Sequence, residues 1–261
     1  MRIVVFDTET TSLEKPFVYD IGYVIYDTDT AEILLTRSFV VEQVWHNREL
    51  FSSAYYADKR ELYISAMRGR TAVMDKIGHI TQQMARDFKQ YLVSSAYAYN
   101  SPFDDNVFTF NCDWFKVKNP FDNIPIFDIR GYVHKKIAFD KAFQNWCESN
   151  EAFTESGNYS TTAETVYRFL IQDGEFVEAH TALADALIEL DILTYCVDMR
   201  GAEYETEYKV YRSVPRKGEK TLIVKDAEGN IATFGYESIT IHREKDKKTR
   251  IYLRKRVDKT E

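Results

Sequence analysis

Asp7, Glu9, Asp104, His180 and Asp185 come from three separate segments of a 261-residue chain, and their types suit them to act together. Four carboxylates in one pocket repel one another strongly. Such a cluster is stable only when cations neutralise it, and a hard divalent ion with oxygen ligands is the usual answer. A neighbouring histidine can then take a proton from water at the ion. This is the chemistry of metal-assisted phosphodiester hydrolysis.

The spacing of the five residues says what must hold them. Asp7 and Glu9 are two apart after the apolar run Ile3–Phe6. On a strand, residues i and i+2 project from one face, so both carboxylates enter the same space. A solvated strand end is the plain alternative. Asp104 closes Asn100-Ser-Pro-Phe-Asp104, in which Pro102 suits the first turn of a helix and Ser101 its N-cap. An acid there complements the helix dipole, a capping role compatible with a carboxylate aimed at the strand ends. His180 and Asp185 are five apart, which on a continuous helix puts them about 140° from a shared face. His180 is therefore expected just before the helix, on non-helical backbone, folding back over a site that Asp185 reaches. Asp185 interrupts the apolar, small-residue stretch ALADALIEL, where a charge needs a partner.

The elements that position these residues follow from periodicity. Residues 2–7 read as a buried strand, and 17–27 and 32–41 as two more joined by a hairpin. Residues 42–70 are aromatic and charged and read as a helical insertion or lid. Val73, Ile77, Ile80, Met84, Phe88 and Leu92 predict one amphipathic helix over 70–93. A short strand at 96–99 precedes the helix that starts near Ser101, and another strand lies near 124–128. One helix is expected over 132–147. Thr161-x-x-Glu164 has the form of a capping box. The last core helix spans about 181–199, with Leu183, Ala186, Leu187, Leu190, Leu193 and Val197 on its apolar stripe. Three antiparallel strands followed by alternating helices and strands give a mixed α/β sheet.

From about residue 205 the chain changes character, so 1–204 is read as one domain and 205–261 as a β-rich extension. Residues 209–261 hold 15 Lys and Arg against 8 Asp and Glu, a net +7, which leaves −14 on residues 1–208. The total of −7 argues against simple coating of nucleic acid, but not against an enzyme whose ligands are themselves acidic. Cys112, Cys147 and Cys196 are odd in number and form no CxxC, which favours small buried hydrophobes in a reducing compartment. No run approaches membrane-spanning length and no secretory signal is evident, so no membrane partner and a cytoplasmic location are expected. The oligomeric state, a dimer included, is open.

Three segments together resemble the DEDDh group of 3′–5′ exonucleases, which includes the proofreading subunit of bacterial replicative DNA polymerase, RNase T and oligoribonuclease. DTETTSL (7–13), YNSPFD (99–104) and HTALAD (180–185) are similar to its three motifs, in order, and the likeness covers about residues 1–200. Ser12 stands where many relatives have Gly, and Tyr99 where many have His. The 42–70 segment and the tail distantly resemble phage-encoded members. The resemblance implies an RNase H-like five-stranded mixed sheet and two Mg²⁺ or Mn²⁺ ions about 3.5–4 Å apart clamping the scissile phosphate. It also implies that Asp7, Glu9, Asp104 and Asp185 are ligands and His180 is the general base. Nucleoside 5′-monophosphates would leave the 3′ end of a single strand, DNA being slightly favoured because no means of sensing a 2′-hydroxyl is evident.

Around the five, Thr8, Thr10 and Thr11 are candidates for the terminal nucleotide, with ordinary strand-end threonines as the alternative. Phe103 and Phe17 are candidates to stack on bases, with core packing as the alternative. Asn100 either touches substrate or makes a local turn hydrogen bond. Lys245, Lys247, Lys248, Arg250, Arg254, Lys255 and Arg256 of the tail are candidates to track phosphates, or else belong to a solvated β appendage. Rival readings of the whole are an exoribonuclease, a phosphodiesterase acting on small cyclic or dinucleotide messengers, and a catalytically silent nucleic-acid-binding module.

Overall fold

The computed structural model describes residues 1–52, 54 and 59–205, together with the backbone of four strands in the tail. The chain divides into two compact units, Met1–Tyr208 and Lys209–Glu261.

The first unit is built on β1 (Arg2–Thr10), whose residues Ile3 to Phe6 are fully buried. A strand apolar on both faces needs cover on both, and β1 has it. It pairs antiparallel with β2 (Val18–Asp27) on one side and parallel with β5 (Ser95–Ala98) on the other. The sheet has six strands, in the order β4 (Val73–Asp75), β3 (Glu32–Val41), β2, β1, β5 and β6 (Ile126–Asp128). β3 continues the antiparallel meander, while β6 extends the parallel side. The mixed α/β sheet flanked by helices is as expected, with one strand more than the five foreseen.

That sixth strand, β4 (Val73–Asp75), is a correction within the 70–93 segment. It runs parallel to the end of β3, and Val73 is half exposed instead of facing a helical core. The amphipathic helix is α4 (Ile77–Gln90), which buries Ile77, Ile80, Met84 and Phe88. Leu92 lies beyond it in left-handed backbone and is exposed. The helical reading of 42–70 holds for α1 (Glu42–Trp45), α2 (Arg48–Ser52) and α3 (Arg60–Arg68). After β5 comes α5 (Pro102–Phe115).

The helix expected over 132–147 is two, α6 (Ile129–Lys136) and α7 (Lys141–Ser149). Asp140 restarts the helix by accepting from the Ala142 amide at 2.8 Å, a local capping bond that outcompetes continuation. The cap of α8 (Ala163–Ile171) also falls one residue later than foreseen. Thr162 accepts from the Thr165 amide at 3.2 Å, and Glu164 turns to Arg168 instead. The last helix, α9 (Ala182–Thr194), is shorter than foreseen and ends in a π-turn over Tyr195–Met199.

Side-chain parity along β1 sorts the core into two halves. Val4 and Phe6 pack with Tyr23, Ala96, Phe88 and Phe108 on the α4/α5 face. Ile3 and Val5 pack with Val24, Ala186 and Leu190 on the α9 face. Continuing the alternation, Asp7 and Glu9 project toward α9, and Thr8 projects toward α5. Cys112, Cys147 and Cys196 are buried in the core, and no disulfide joins them. No helix among the described residues is long and apolar enough to cross a membrane.

In the second unit, β7 (Lys220–Lys225) pairs antiparallel with β8 (Ile231–Tyr236), and β9 (Ser238–Arg243) with β10 (Thr249–Arg254). Arg250 and Arg254 lie on β10, described as backbone alone. Lys245, Lys247, Lys248, Lys255 and Arg256 lie outside the described residues.

Candidate active site

The end of β1 and the start of α9 meet because β2 lets them. Gly22 lies opposite Asp7 in the antiparallel register and faces the same side of the sheet. A Cβ built on Gly22 would stand 2.1 Å from the Leu183 amide nitrogen and 2.2 Å from the Ala182 carbonyl carbon. Only glycine permits this approach, since backbone cannot rotate out of the way. The first turn of α9, and Asp185 within it, therefore seats directly against the sheet beside Asp7.

One carboxylate oxygen from each of Asp7, Glu9 and Asp185 lies within 4.8 Å of the other two. Asp185 is buried, and its Oδ1 has no hydrogen-bond partner among the described residues. Asp104 is buried on the first turn of α5 and accepts from the Thr8 hydroxyl at 2.6 Å. It lies outside the close trio, although its charge acts on Asp7. Ser101 makes no side-chain capping bond, so Asp104 is held by Thr8 of β1 and not by a capping box.

The carboxyls resist ionisation. Burial first, and then the charge of Asp20, pushes Glu9 up to about 8. Burial raises Asp7 far above the usual carboxylate range, and Asp104, Glu189, Asp185 and Glu9 add to it. Asp185 is raised by burial and then by Glu178, Glu9 and Asp20. Asp104 is raised by burial, against the pull of the Thr8 hydroxyl. A cluster of oxygen donors that costs this much to ionise, one of them an orphaned buried oxygen, fits a hard divalent cation. Asp7, Glu9 and Asp185 could hold it.

His180 precedes α9, as the spacing demands. Its φ of 48° puts it in left-handed backbone, and the helix begins two residues later. Its Nδ1 lies 3.6 Å from Glu178 Oε2. Burial, and then the Lys59 ammonium, lowers the pKa of its imidazole. The ring is therefore neutral near pH 7, the form that accepts a proton.

Three acids at this site escaped the sequence reading. Asp20, almost fully buried on β2, lies opposite Glu9 in the register and accepts from the Ala182 amide and the Tyr63 hydroxyl, each at 2.9 Å. Glu189 is buried one turn after Asp185 and accepts from the Tyr99 amide at 3.1 Å, tying α9 to the end of β5. Glu178 stands two residues before His180. For Glu189 a signal was present: a second acid at i+4 within the same apolar stretch, ALADALIEL. For Asp20 the signal was an acid inside a strand otherwise buried throughout.

The peripheral residues divide. Thr8 and Thr11 are buried, with the Thr8 hydroxyl on Asp104 and the Thr11 hydroxyl facing the Lys15 carbonyl at 3.5 Å. Thr10 turns to the Ser12 carbonyl at 3.4 Å. Phe17 packs edge-on against Phe110 and Trp114, and Phe103 packs on the core. Asn100 is in left-handed backbone, and its backbone N–H donates to Asp128 Oδ1 at 2.9 Å. Tyr99 donates its hydroxyl to the Thr161 carbonyl at 2.5 Å.

No protein-family model and no curated protein matches the sequence. Solved structures do. The nuclease domain of 3′hExo, described as a DEDDh family member bound to rAMP, is 16% identical, with 79% of this chain and 97% of that one covered at a TM-score of 0.49. Escherichia coli exonuclease I in complex with a dT13 oligonucleotide is 14% identical over 76% of this chain and 41% of that one, at a TM-score of 0.47. Cell-death related nuclease 4 (CRN-4) is 17% identical over 76% and 64%, at 0.46. None of these three is described as phage-encoded, so that part of the resemblance finds no support.

Proposed function

We propose that this chain is a metal-dependent 3′–5′ exonuclease that hydrolyses single-stranded nucleic acid to nucleoside 5′-monophosphates. The observation that carries the reading is the convergence of Asp7, Glu9 and Asp185 within 4.8 Å, with His180 in left-handed backbone two residues ahead of the helix that carries Asp185. A phosphodiester hydrolase needs anionic oxygens to recruit cations and a neutral base to take the proton of the attacking water.

Asp7, Glu9 and Asp185, joined by Asp104, would hold two ions, Mg²⁺ or Mn²⁺. When bound, these would neutralise the carboxylates and the scissile phosphate and make water a better nucleophile. Glu178 lies on the Nδ1 side of His180, so Nε2 is the atom assigned to take the proton from the attacking water. The lowered pKa of His180 keeps that atom unprotonated at neutral pH. Thr8 keeps Asp104 aimed by its 2.6 Å hydrogen bond. Thr10 and Asn100 are proposed to contact the terminal nucleotide, and Lys247, Lys248, Arg250 and Arg254 to guide the strand.

The experiment is a side-by-side digestion of end-labelled DNA and RNA, single- and double-stranded, with Mg²⁺ or Mn²⁺. Stepwise shortening from the 3′ end of single strands supports the reading, and faster loss of DNA supports the DNA preference. Inertness toward every polymer would overturn it.

A further inference from the structure

His180 owes its place to a helix remote from it in sequence. Lys59 and Tyr63 stand one turn apart at the start of α3, on the same face. The Lys59 ammonium donates to the Ala179 carbonyl at 2.6 Å, immediately before His180. The Tyr63 hydroxyl donates to Asp20 Oδ2 at 2.9 Å, and the same oxygen accepts from the Ala182 amide at 2.9 Å, immediately after the His180–Thr181 pair. The peptide bearing His180 is thus gripped on both sides. Tyr63 is itself fixed by edge-on packing against Tyr19 and Trp45 at 5.9 and 5.8 Å, and Arg60 caps the Trp45 ring at 4.7 Å. Upstream, Glu164 accepts from the Glu178 amide at 3.2 Å, and Arg168 donates to the Phe176 carbonyl at 2.5 Å.

These restraints have a task. His180 is a non-glycine residue at a φ of 48°, a conformation that persists only where its surroundings over-determine it. Without the grip, residues 179–182 would relax toward extended or helical backbone. One more helical turn on α9 would carry the imidazole around the helix and away from Asp185.

We propose that α3, through Lys59 and the Tyr63–Asp20 pair, is the positioning element of His180. The helical segment following β3 then acts by fixing the base, whatever else it covers. This rests on His180 being the general base of the proposed nuclease. Lys59 and Tyr63 are positioning residues, reaching the reaction only through the peptide they hold.

The test uses Tyr63→Phe and Lys59→Met in the full chain. In nuclease assays each variant lowers kcat by about 10- to 100-fold with little change in KM, the scale of losing an orienting partner. Repeated on a His180→Ala background, both losses vanish. Equal fold losses on both backgrounds overturn the proposal, because a general structural role multiplies through. Nuclear magnetic resonance supplies a readout independent of activity. Both variants shift the His180 ring signals, and Tyr63→Phe speeds amide exchange at Ala182. Unchanged ring signals and unchanged Ala182 exchange in both variants overturn the proposal. If the wild-type chain proves inactive on every nucleic acid, the nuclease reading fails, and the resonance data alone decide whether α3 sets His180.

Discussion

Replacing Gly22 by alanine tests whether the seat of α9 on the sheet makes the site. The added Cβ would meet the Leu183 nitrogen at 2.1 Å, the Ala182 carbonyl carbon at 2.2 Å and its oxygen at 2.4 Å, whereas ordinary contact begins at 3.4 Å. The obstacles are all backbone, so the first turn of α9 must withdraw by about 1 Å or more. Overpacking of this kind costs about 1–3 kcal/mol. A displacement of about 1 Å at a catalytic group can lower turnover by about 10²-fold. Asp185 rides on that turn and Asp7 stays on β1, so the two move apart. Thermal unfolding and turnover on a labelled single strand measure the two effects. Gly131→Ala is the control, because a Cβ there meets nothing within 4 Å. On a helix it should be neutral or slightly stabilising. A Gly22→Ala chain with wild-type melting and wild-type turnover would refute the reasoning.

Other outcomes follow from the same geometry. Glu9 moves from an ordinary 4.5 to about 8 on folding, and Asp7, Asp104 and Asp185 are also raised. The native state therefore holds more protons than the unfolded chain between these limits, so stability of the ion-free protein is full below pH 4.5 and falls as pH rises through 8. Melting in EDTA should drop from pH 5.5 to pH 8, and Mn²⁺ should restore it at pH 8; a flat or rising profile in EDTA contradicts the strained cluster. His180→Ala should lower turnover by about 10²–10⁴-fold, as loss of a general base does, with folding intact; an unchanged rate at neutral pH removes His180 from the reaction. Thr8→Val deletes the bond to Asp104 and should lower turnover while the melting temperature shifts little; full activity would show that Asp104 needs no such hold. Replacing Lys247, Lys248, Arg250 and Arg254 by alanine should weaken single-strand binding and flatten its salt dependence; an unchanged salt slope removes the tail from the interface.

Much of the site was legible because strand parity and helix period are local rules. Asp7 and Glu9 had to share a face, and His180 had to leave its helix. Local rules failed where a long-range partner or a competing cap decided the outcome. Val73 fits a helical stripe equally well but pairs with Phe39 on a sheet edge. Asp140 cuts one expected helix into two with a single capping bond. Asp104 reads as a helix-start acid, yet its partner is Thr8 on another element. Asp20 could not be placed at the site from spacing alone, because its role depends on the register that sets it opposite Glu9 and under Ala182. The hold of Lys59 on Ala179 spans 120 residues and leaves no trace in any local pattern.

The most direct test of the central claim is a time course on a 5′-labelled single strand, with wild type and Asp185→Asn compared in Mn²⁺ and in EDTA. The account predicts a ladder shortening one nucleotide at a time from the 3′ end, with 5′-monophosphates released, for wild type in Mn²⁺ alone. Internal fragments, undiminished cleavage in EDTA, or a fully active Asp185→Asn would contradict it.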